Sequence, residues 1–105
     1  MRKPYVSELV RANFQFRNAE TGAGLTGVGG AEFHYTPPGA TVPVAVAPTA
    51  SLVNPKTGLA EAGWFFVDIA TTVAGTYRCI GTCETPSRAV AVGSFSVAPL
   101  PFAVP

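Results

Sequence analysis

Turn-forming residues interrupt this chain along its whole length. It contains 11 glycines and 10 prolines in 105 residues, spread from one end to the other. Proline removes a backbone donor and glycine weakens regular elements, so little room remains for long helices. No window shows apolar residues at the i, i+3, i+4, i+7 spacing of an amphipathic helix. The chain is therefore restricted to short segments joined by turns, which is typical of an all-β fold.

Between the turns, apolar and polar residues alternate as they do in β-strands. The runs are VRANFQF, AEFHY, WFFVDI, TYRCIGTC and AVAVGSFSV. In the first run, Phe14 and Phe16 are expected to face the core. In WFFVDI, Phe65 falls on one face and Trp64 and Phe66 on the other. A run that is apolar on both faces is expected to be a central strand or one covered by a partner.

The segment ATVPVAVAPTASLV is β-branched but contains Pro43 and Pro48. Since proline cannot donate to a ladder, this segment is predicted to be an edge strand or a bulged one. TPPG and NPKTG indicate turns. The sequence therefore predicts one β-sandwich of about six to eight antiparallel strands over residues 9–98. Residues 1–8 are expected to form an N-terminal arm and residues 99–105 an extended, proline-rich C-terminal tail.

The run VAGTYRCIGTC resembles strand F of an immunoglobulin domain, and Tyr77, Cys79 and Phe95 are predicted to define the fold. Tyr77 is expected to pack between the layers and to cap the preceding turn with its hydroxyl, as a tyrosine corner. Residues four apart in an extended strand are separated by about 13 Å, whereas a disulfide needs Cα atoms within roughly 7 Å. Cys79 and Cys83 can therefore pair only if the strand turns sharply at Gly81. Cys79 is expected to be a small buried core residue.

The low charge content limits the partners. Charged residues are 12% of the chain, apolar residues 48%, and the net charge is +1. A weakly charged surface suits a protein covered by neighbours in an assembly, and without clustered Lys and Arg no nucleic-acid partner is expected. No run approaches the ~20 apolar residues of a membrane span. The start, MRKPYVSELVRANF, lacks the apolar stretch of a signal peptide, which predicts synthesis in the cytoplasm and reduced thiols.

Catalytic, metal-binding and cofactor-binding residues are not expected. Nucleophilic catalysis needs a base beside Ser or Cys, but His34 is the only imidazole and its strand phase puts it on the polar face, where a surface histidine is expected. His34 with Cys79 and Cys83 is a weak set of metal ligands. The glycine-rich TGAGLTGVGG lacks the lysine and the strand-to-helix context of a phosphate loop. The sequence therefore predicts a protein that is not an enzyme and uses no cofactor.

From about Val10 to Val97, the chain resembles the small Ig-like domains of tailed-bacteriophage virion proteins. The matching residues are Asn54, Pro55, Thr57 and Gly58, then Trp64 to Ile69, then Gly75, Thr76 and Tyr77, and finally Phe95 and Val97. This resemblance implies an Ig-like β-sandwich with a structural or adhesive role in decorating capsids, completing necks or tails, or holding host-surface polymers. It brings no catalytic residues.

The predicted function is that of a structural virion protein, an Ig-like accessory that decorates the head or neck of a tailed phage. Its expected partners are other virion proteins in a multi-copy assembly, and its expected location is the virion. There are three alternatives: a carbohydrate- or host-surface-binding module, a tail-tube or tail-tip component, and an accessory domain of a larger partner. The first of these predicts an exposed Trp64. An apolar, proline-stiffened segment costs less entropy to order on a partner. The residues predicted to form interfaces are Tyr5, Trp64, Phe66, Leu100 and Phe102.

Overall fold

Seven β-strands form two antiparallel sheets. The computed structural model describes residues 4–51 and 53–99, and these contain no helix. The strands are β1 (Leu9–Gln15), β2 (Glu32–Thr36), β3 (Val44–Val46), β4 (Thr49–Ala50), β5 (Trp64–Ala70), β6 (Gly75–Cys83) and β7 (Ala89–Val97). One sheet has the order β1-β5-β4 and the other the order β3-β2-β6-β7.

This strand order is that of an immunoglobulin-like sandwich. In such folds strands B, E and D share one sheet, and strands C, F and G, with an added C′, form the other. Here β1, β5 and β4 take the positions of B, E and D, and β3, β2, β6 and β7 those of C′, C, F and G. The predicted all-β, Ig-like β-sandwich is therefore confirmed, with seven strands.

The core lies between the sheets, where the inward residues of each alternating run meet. Phe16 and Phe65 belong to one buried cluster and Phe33 to another. Phe14 joins the two clusters, because its ring stacks on Phe33 with centroids 5.2 Å apart and meets the edge of Phe16 at 5.4 Å. Gly81 of β6 lies under this ring, and a Cβ at Gly81 would come within 2.8 Å of it.

The proline-containing segment forms two short edge strands rather than one. Pro43 directly precedes β3, which ends the four-stranded sheet, and Pro48 precedes β4, which ends the three-stranded sheet. The chain changes sheets between them. The prediction of an edge position is confirmed for both strands, and the missing proline donors lie outside the ladders.

Strand A of the immunoglobulin fold is reduced to one bridge in the described part of the chain. Tyr5 lies beside Ala98 in a parallel bridge, in which the Val6 N–H donates to the Ala98 carbonyl (2.9 Å) and the Ala98 N–H donates to the Pro4 carbonyl (2.8 Å). The Ser7 N–H then donates to the Thr71 carbonyl (3.0 Å). The described part of the predicted N-terminal arm thus lies against its own sandwich.

Candidate interaction surfaces

Tyr77 closes the turn that leads into β6. Its side chain is buried, and its hydroxyl accepts hydrogen bonds from the N–H groups of Thr72 (3.2 Å) and Val73 (3.1 Å). The same hydroxyl donates to the Val73 carbonyl at 2.8 Å. The Tyr77 ring stacks on Phe95 with centroids 5.0 Å apart. The predicted tyrosine corner is therefore present, and Phe95 packs against it.

Cys79 and Cys83 are free thiols on one continuous strand. β6 does not turn at Gly81, because its ladder to β7 runs unbroken from Gly75 to Cys83. Cys83 is fully buried, while Cys79 faces the core but is only half-buried. Burial raises the pKa of the Cys79 thiol to about 11. Of the two thiols, Cys83 is thus the enclosed core residue, and Cys79 reaches the wall of a groove.

On the outer face of the three-stranded sheet, Phe66 is covered by Arg11. The guanidinium carbon of Arg11 lies 4.0 Å from the centre of the Phe66 ring. Arg11 also binds Asp68 through two hydrogen bonds, of 2.8 and 3.0 Å. These bonds hold the pKa of the Asp68 carboxyl below its ordinary value and raise that of Arg11. The apolar ring predicted to form an interface therefore already has a cover within its own chain.

Trp64, the other aromatic residue predicted on this face, is half-buried. Its indole N–H donates to the Glu61 carboxylate at 2.7 Å, and the Asn54 amide donates to the same carboxylate oxygen at 2.9 Å. The hydrogen bond from Trp64, followed by that from Asn54, lowers the pKa of Glu61. Trp64 is thus tied to the loop before β5 and does not stand free of the surface.

The outer face of the four-stranded sheet carries an exposed apolar patch, made of Ile80 on β6 and Val90 and Val92 on β7. Their exposed fractions are 42%, 57% and 78%. Ile80 lies directly opposite Val92 in the ladder, and His34 of β2 lies opposite Ile80 on its other side. We call Ile80, Val90 and Val92 the β6–β7 patch.

The sequence-based prediction did not include this patch among the interface residues. The signal was present, because Phe95 and Val97 face inward and alternation places Val90 and Val92 on the opposite face. Along the run AVAVGSFSV, the larger apolar side chains lie on the outer face in the first half and on the inner face in the second half. In its first half the small residues Ala89 and Ala91 face inward and the valines outward, so hydrophobicity alone does not identify the buried side.

A groove opens where the sandwich is not closed, between the edge strands β1 and β7. Its volume is about 490 Å³. Ala12, Phe14, Phe33, Cys79, Gly93 and Phe95 are among the residues that line it. A Cβ placed on Gly93 would have no atom of the described residues within 4 Å, so the inner face of β7 has a gap there in this part of the chain. Arg11 and Arg17 are the charged residues along the groove among residues 4–51 and 53–99.

Among residues 4–51 and 53–99, no three His, Cys, Asp or Glu side chains lie together as metal ligands would. No helix in those ranges has the length and apolar character needed to cross a membrane. Leu100 and Phe102, the remaining predicted interface residues, lie outside the described residues.

Comparison of the chain with protein-family models, with curated proteins and with solved structures finds no match. The resemblance to Ig-like virion domains therefore stays a prediction from motifs, and the surfaces themselves carry the functional inference.

Proposed function

We propose that this chain is a non-enzymatic structural protein of a tailed-phage virion, an Ig-like accessory that decorates the head or neck. In this role it binds neighbouring subunits through its sheet faces and edges. The observation that carries the binding role is the β6–β7 patch, which lies beside the open edge of β7. The motif resemblance described above supports the virion setting.

The energetics of the patch favour a covered state. Val92 is 78% exposed and Val90 57% exposed, so each leaves most of its apolar surface in water. Full burial of such a side chain contributes roughly 1.5–3 kcal/mol. Exposed apolar groups gathered on a flat sheet face, beside unpaired backbone groups, are typical of a protein-binding surface. A partner with an apolar, weakly charged face fits this patch.

The composition also favours a partner with an apolar, weakly charged face. Only 12% of the residues are charged, so the chain offers few groups for charge pairing with a partner. Arg78 is the charged side chain in phase with Ile80 on β6, and Ser94 lies opposite it on β7. Hydrophobic contact, rather than charge pairing, is therefore expected to dominate binding.

Quantitative mass spectrometry of purified particles from the source tests the virion proposal. A copy number close to that of the major shell protein would indicate decoration of the whole head, and a few copies per particle would indicate the neck or tail. Absence from every particle would overturn the virion assignment. Binding to host polysaccharide in that case would favour the alternative of a carbohydrate-binding module.

A matched pair of variants tests the role of the patch in binding. Val92→Lys places a charge at its most exposed residue, and Leu59→Lys places one at a loop residue that is 70% exposed. We expect Val92→Lys to reduce incorporation into particles at least tenfold and Leu59→Lys to leave it unchanged. Equal incorporation of both variants would overturn the role of this face.

A further inference from the structure

We propose that the groove between β1 and β7 receives residues 100–104 of a second copy of this chain, as an added strand parallel to β7. This inference goes beyond the proposed function and does not depend on the virion setting, because it concerns the purified chain in solution. Three observations support it: the size and apolar lining of the groove, the free backbone edge of β7 in the described residues, and the sequence PLPFAVP that follows β7.

The groove has the size and lining of a site for apolar side chains. Its volume of about 490 Å³ falls within the roughly 300–1,000 Å³ of protein binding sites. Phe14, Phe33 and Phe95 form much of its wall, and Gly93 leaves a gap between them. In a complete Ig sandwich, a strand beside β7 covers this side, but among residues 4–51 and 53–99 only residues 4–6 do so, and only at Ala98. Within the described part of the chain, the space is therefore that of an unfilled strand position.

The free edge of β7 offers regularly spaced backbone groups. Ala98 directs both its N–H and its carbonyl to this edge, where they bond Pro4 and Val6. Backbone groups alternate in direction along a strand, and the ladder from β7 to β6 is unbroken. Every second residue before Ala98, such as Val92, therefore also directs its backbone groups to the free edge. The side chain of Val92 lies on the outer face, and a side chain placed at position 93 would lie on the inner face.

The segment after β7 has the pattern of a strand that can pair on one side only. It reads PLPFAVP, with proline at positions 99, 101 and 105. In an extended strand, alternate residues share both a face and a hydrogen-bonding direction. Leu100, Phe102 and Val104 would therefore present three apolar side chains to one face and three N–H groups to one edge. The prolines fall on the opposite edge, where they would block any further strand.

The direction of the added strand decides where these side chains lie. In an antiparallel pair, residues that bond each other are directly opposite and share a face, so partners of Val92 would point to the outer face. In a parallel pair, a bonding residue of the added strand lies opposite a residue such as Gly93 and shares its inner face. Only a parallel strand therefore places Leu100, Phe102 and Val104 in the groove while their N–H groups bond β7.

Connectivity then selects a second copy as the donor. A chain that returns parallel to its own preceding strand needs a crossover of about a dozen residues, whereas only residues 98 and 99 separate β7 from the proposed strand. The backbone edge at Ala98 is also occupied by residues 4–6. The proposed strand also has the right length. Residues 100–104 and the groove-lining residues 91–95 of β7 each extend about 13 Å at ~3.3 Å per residue, so the two segments can pair along their whole length.

Each copy offers one groove and one donor segment. Two copies that exchange segments reciprocally form a closed dimer, and copies that donate in series form rings or extended arrays. A short apolar segment seated in the neighbouring subunit would link many copies with one repeated interaction.

Cysteine cross-linking between two separately tagged full-length chains tests the proposal, in a Cys79→Ser background that leaves the buried Cys83. One chain carries Gly93→Cys, and the other carries a single cysteine at each of positions 100 to 104 in turn. Diamide is the oxidant. Position 102 lies opposite Gly93 in this register, so we expect the strongest disulfide between the two chains there, weaker ones at 100 and 104, and little at 101 and 103. No cross-link at any position, or cross-links only at 101 and 103, would overturn the proposal.

A chain carrying both Gly93→Cys and Phe102→Cys distinguishes the donor. We expect disulfide-linked oligomers, and a monomer with an internal disulfide would overturn the assignment to a second copy. Sedimentation of the full chain provides a second readout. Gly93→Leu, which fills the gap, and Phe102→Asp are each expected to raise the concentration for half-assembly at least tenfold.

Leu59→Lys serves as the control in sedimentation, because Leu59 is 70% exposed and is not among the residues that line the groove. We expect this variant to assemble like the parent chain. Assembly unaffected by Gly93→Leu would overturn the role of the groove. Neither result depends on particle mass spectrometry, so failure of this inference and failure of the proposed function can be told apart.

Discussion

Gly81 and Gly93 lie on the inner face of the same sheet, in adjacent strands, yet their surroundings differ completely. A Cβ on Gly81 would meet the ring of Phe14 at 2.8 Å, whereas a Cβ on Gly93 would meet no atom of the residues that the structure describes within 4 Å. Gly81 is required because the core is closed there. Gly93 marks the place where the core is open. The same residue type thus reports close packing in one region and a vacant strand position in the other.

Substitution of Gly81 is expected to give the largest effect. Gly81→Val would force the Phe14 ring away from its contacts with Phe16 and Phe33, and overpacking of this kind lowers the free energy of unfolding by about 3 kcal/mol. Chemical denaturation measures this change. Combining Gly81→Val with Phe14→Leu should recover part of the loss, because the smaller side chain frees the space. No recovery would mean that the ring is not the source of the strain.

Removal of the Tyr77 hydroxyl should give the second-largest loss of stability. Tyr77→Phe keeps the stacking on Phe95 but removes three hydrogen bonds to Thr72 and Val73. We expect the free energy of unfolding to fall by about 1–2 kcal/mol, since partly buried backbone groups of Thr72 and Val73 lose their partner. Tyr35→Phe on neighbouring β2 is the control and should cost less than about 0.5 kcal/mol. Equal losses in the two variants would contradict the role of the corner.

Gly93→Val should have a smaller effect of opposite sign to Gly81→Val. The added side chain meets open space, and a β-branched residue is favoured in a strand, so a gain of up to about 1 kcal/mol is expected. Denaturation at low protein concentration isolates this effect from assembly. A loss comparable to that of Gly81→Val would show that the groove is closed in solution.

The pH dependence of the Arg11–Asp68 pair should be the smallest effect, because both side chains are partly in water. The hydrogen bonds from Arg11 lower the folded-state pKa of Asp68. The pair therefore adds stability above the unfolded-state pKa and loses it as the pH falls through the folded-state value. Comparison of the parent with Asp68→Asn between about pH 6 and pH 2 should show a difference that shrinks on acidification. A difference that grows on acidification would contradict the sign.

Local patterns were sufficient to predict much of the fold. Alternation placed Phe65 on one face of β5 and Trp64 and Phe66 on the other, and the structure has this arrangement with Phe65 buried. The tyrosine corner was predicted from Tyr77 and the turn that precedes it in VAGTYRCIGTC. The free thiols followed from the rise of an extended strand, which keeps Cys79 and Cys83 apart. Each of these depends on neighbours in sequence, where the geometry of a strand applies directly.

The candidate surfaces were less predictable. Trp64 and Phe66 were predicted to face a partner, but the structure pairs them with Glu61 and Arg11 within the chain. Arg11 is far from Phe66 in sequence, and only the β1–β5 register brings them together. The β6–β7 patch and the groove likewise require knowing which strands lie at the edges of a sheet.

The amino-acid pattern was enough to predict the all-β class, the turns, the alternation of faces along the strands and the tyrosine corner, because these arise from backbone stereochemistry and a period of two. Knowing the strand pairing was necessary to see that Gly81 is covered, that Arg11 covers Phe66, and that within the described residues Gly93 is uncovered and most of the β7 edge is free. These depend on how strands far apart in the chain are paired, and that pairing is set by the packing of the whole core rather than by any local segment.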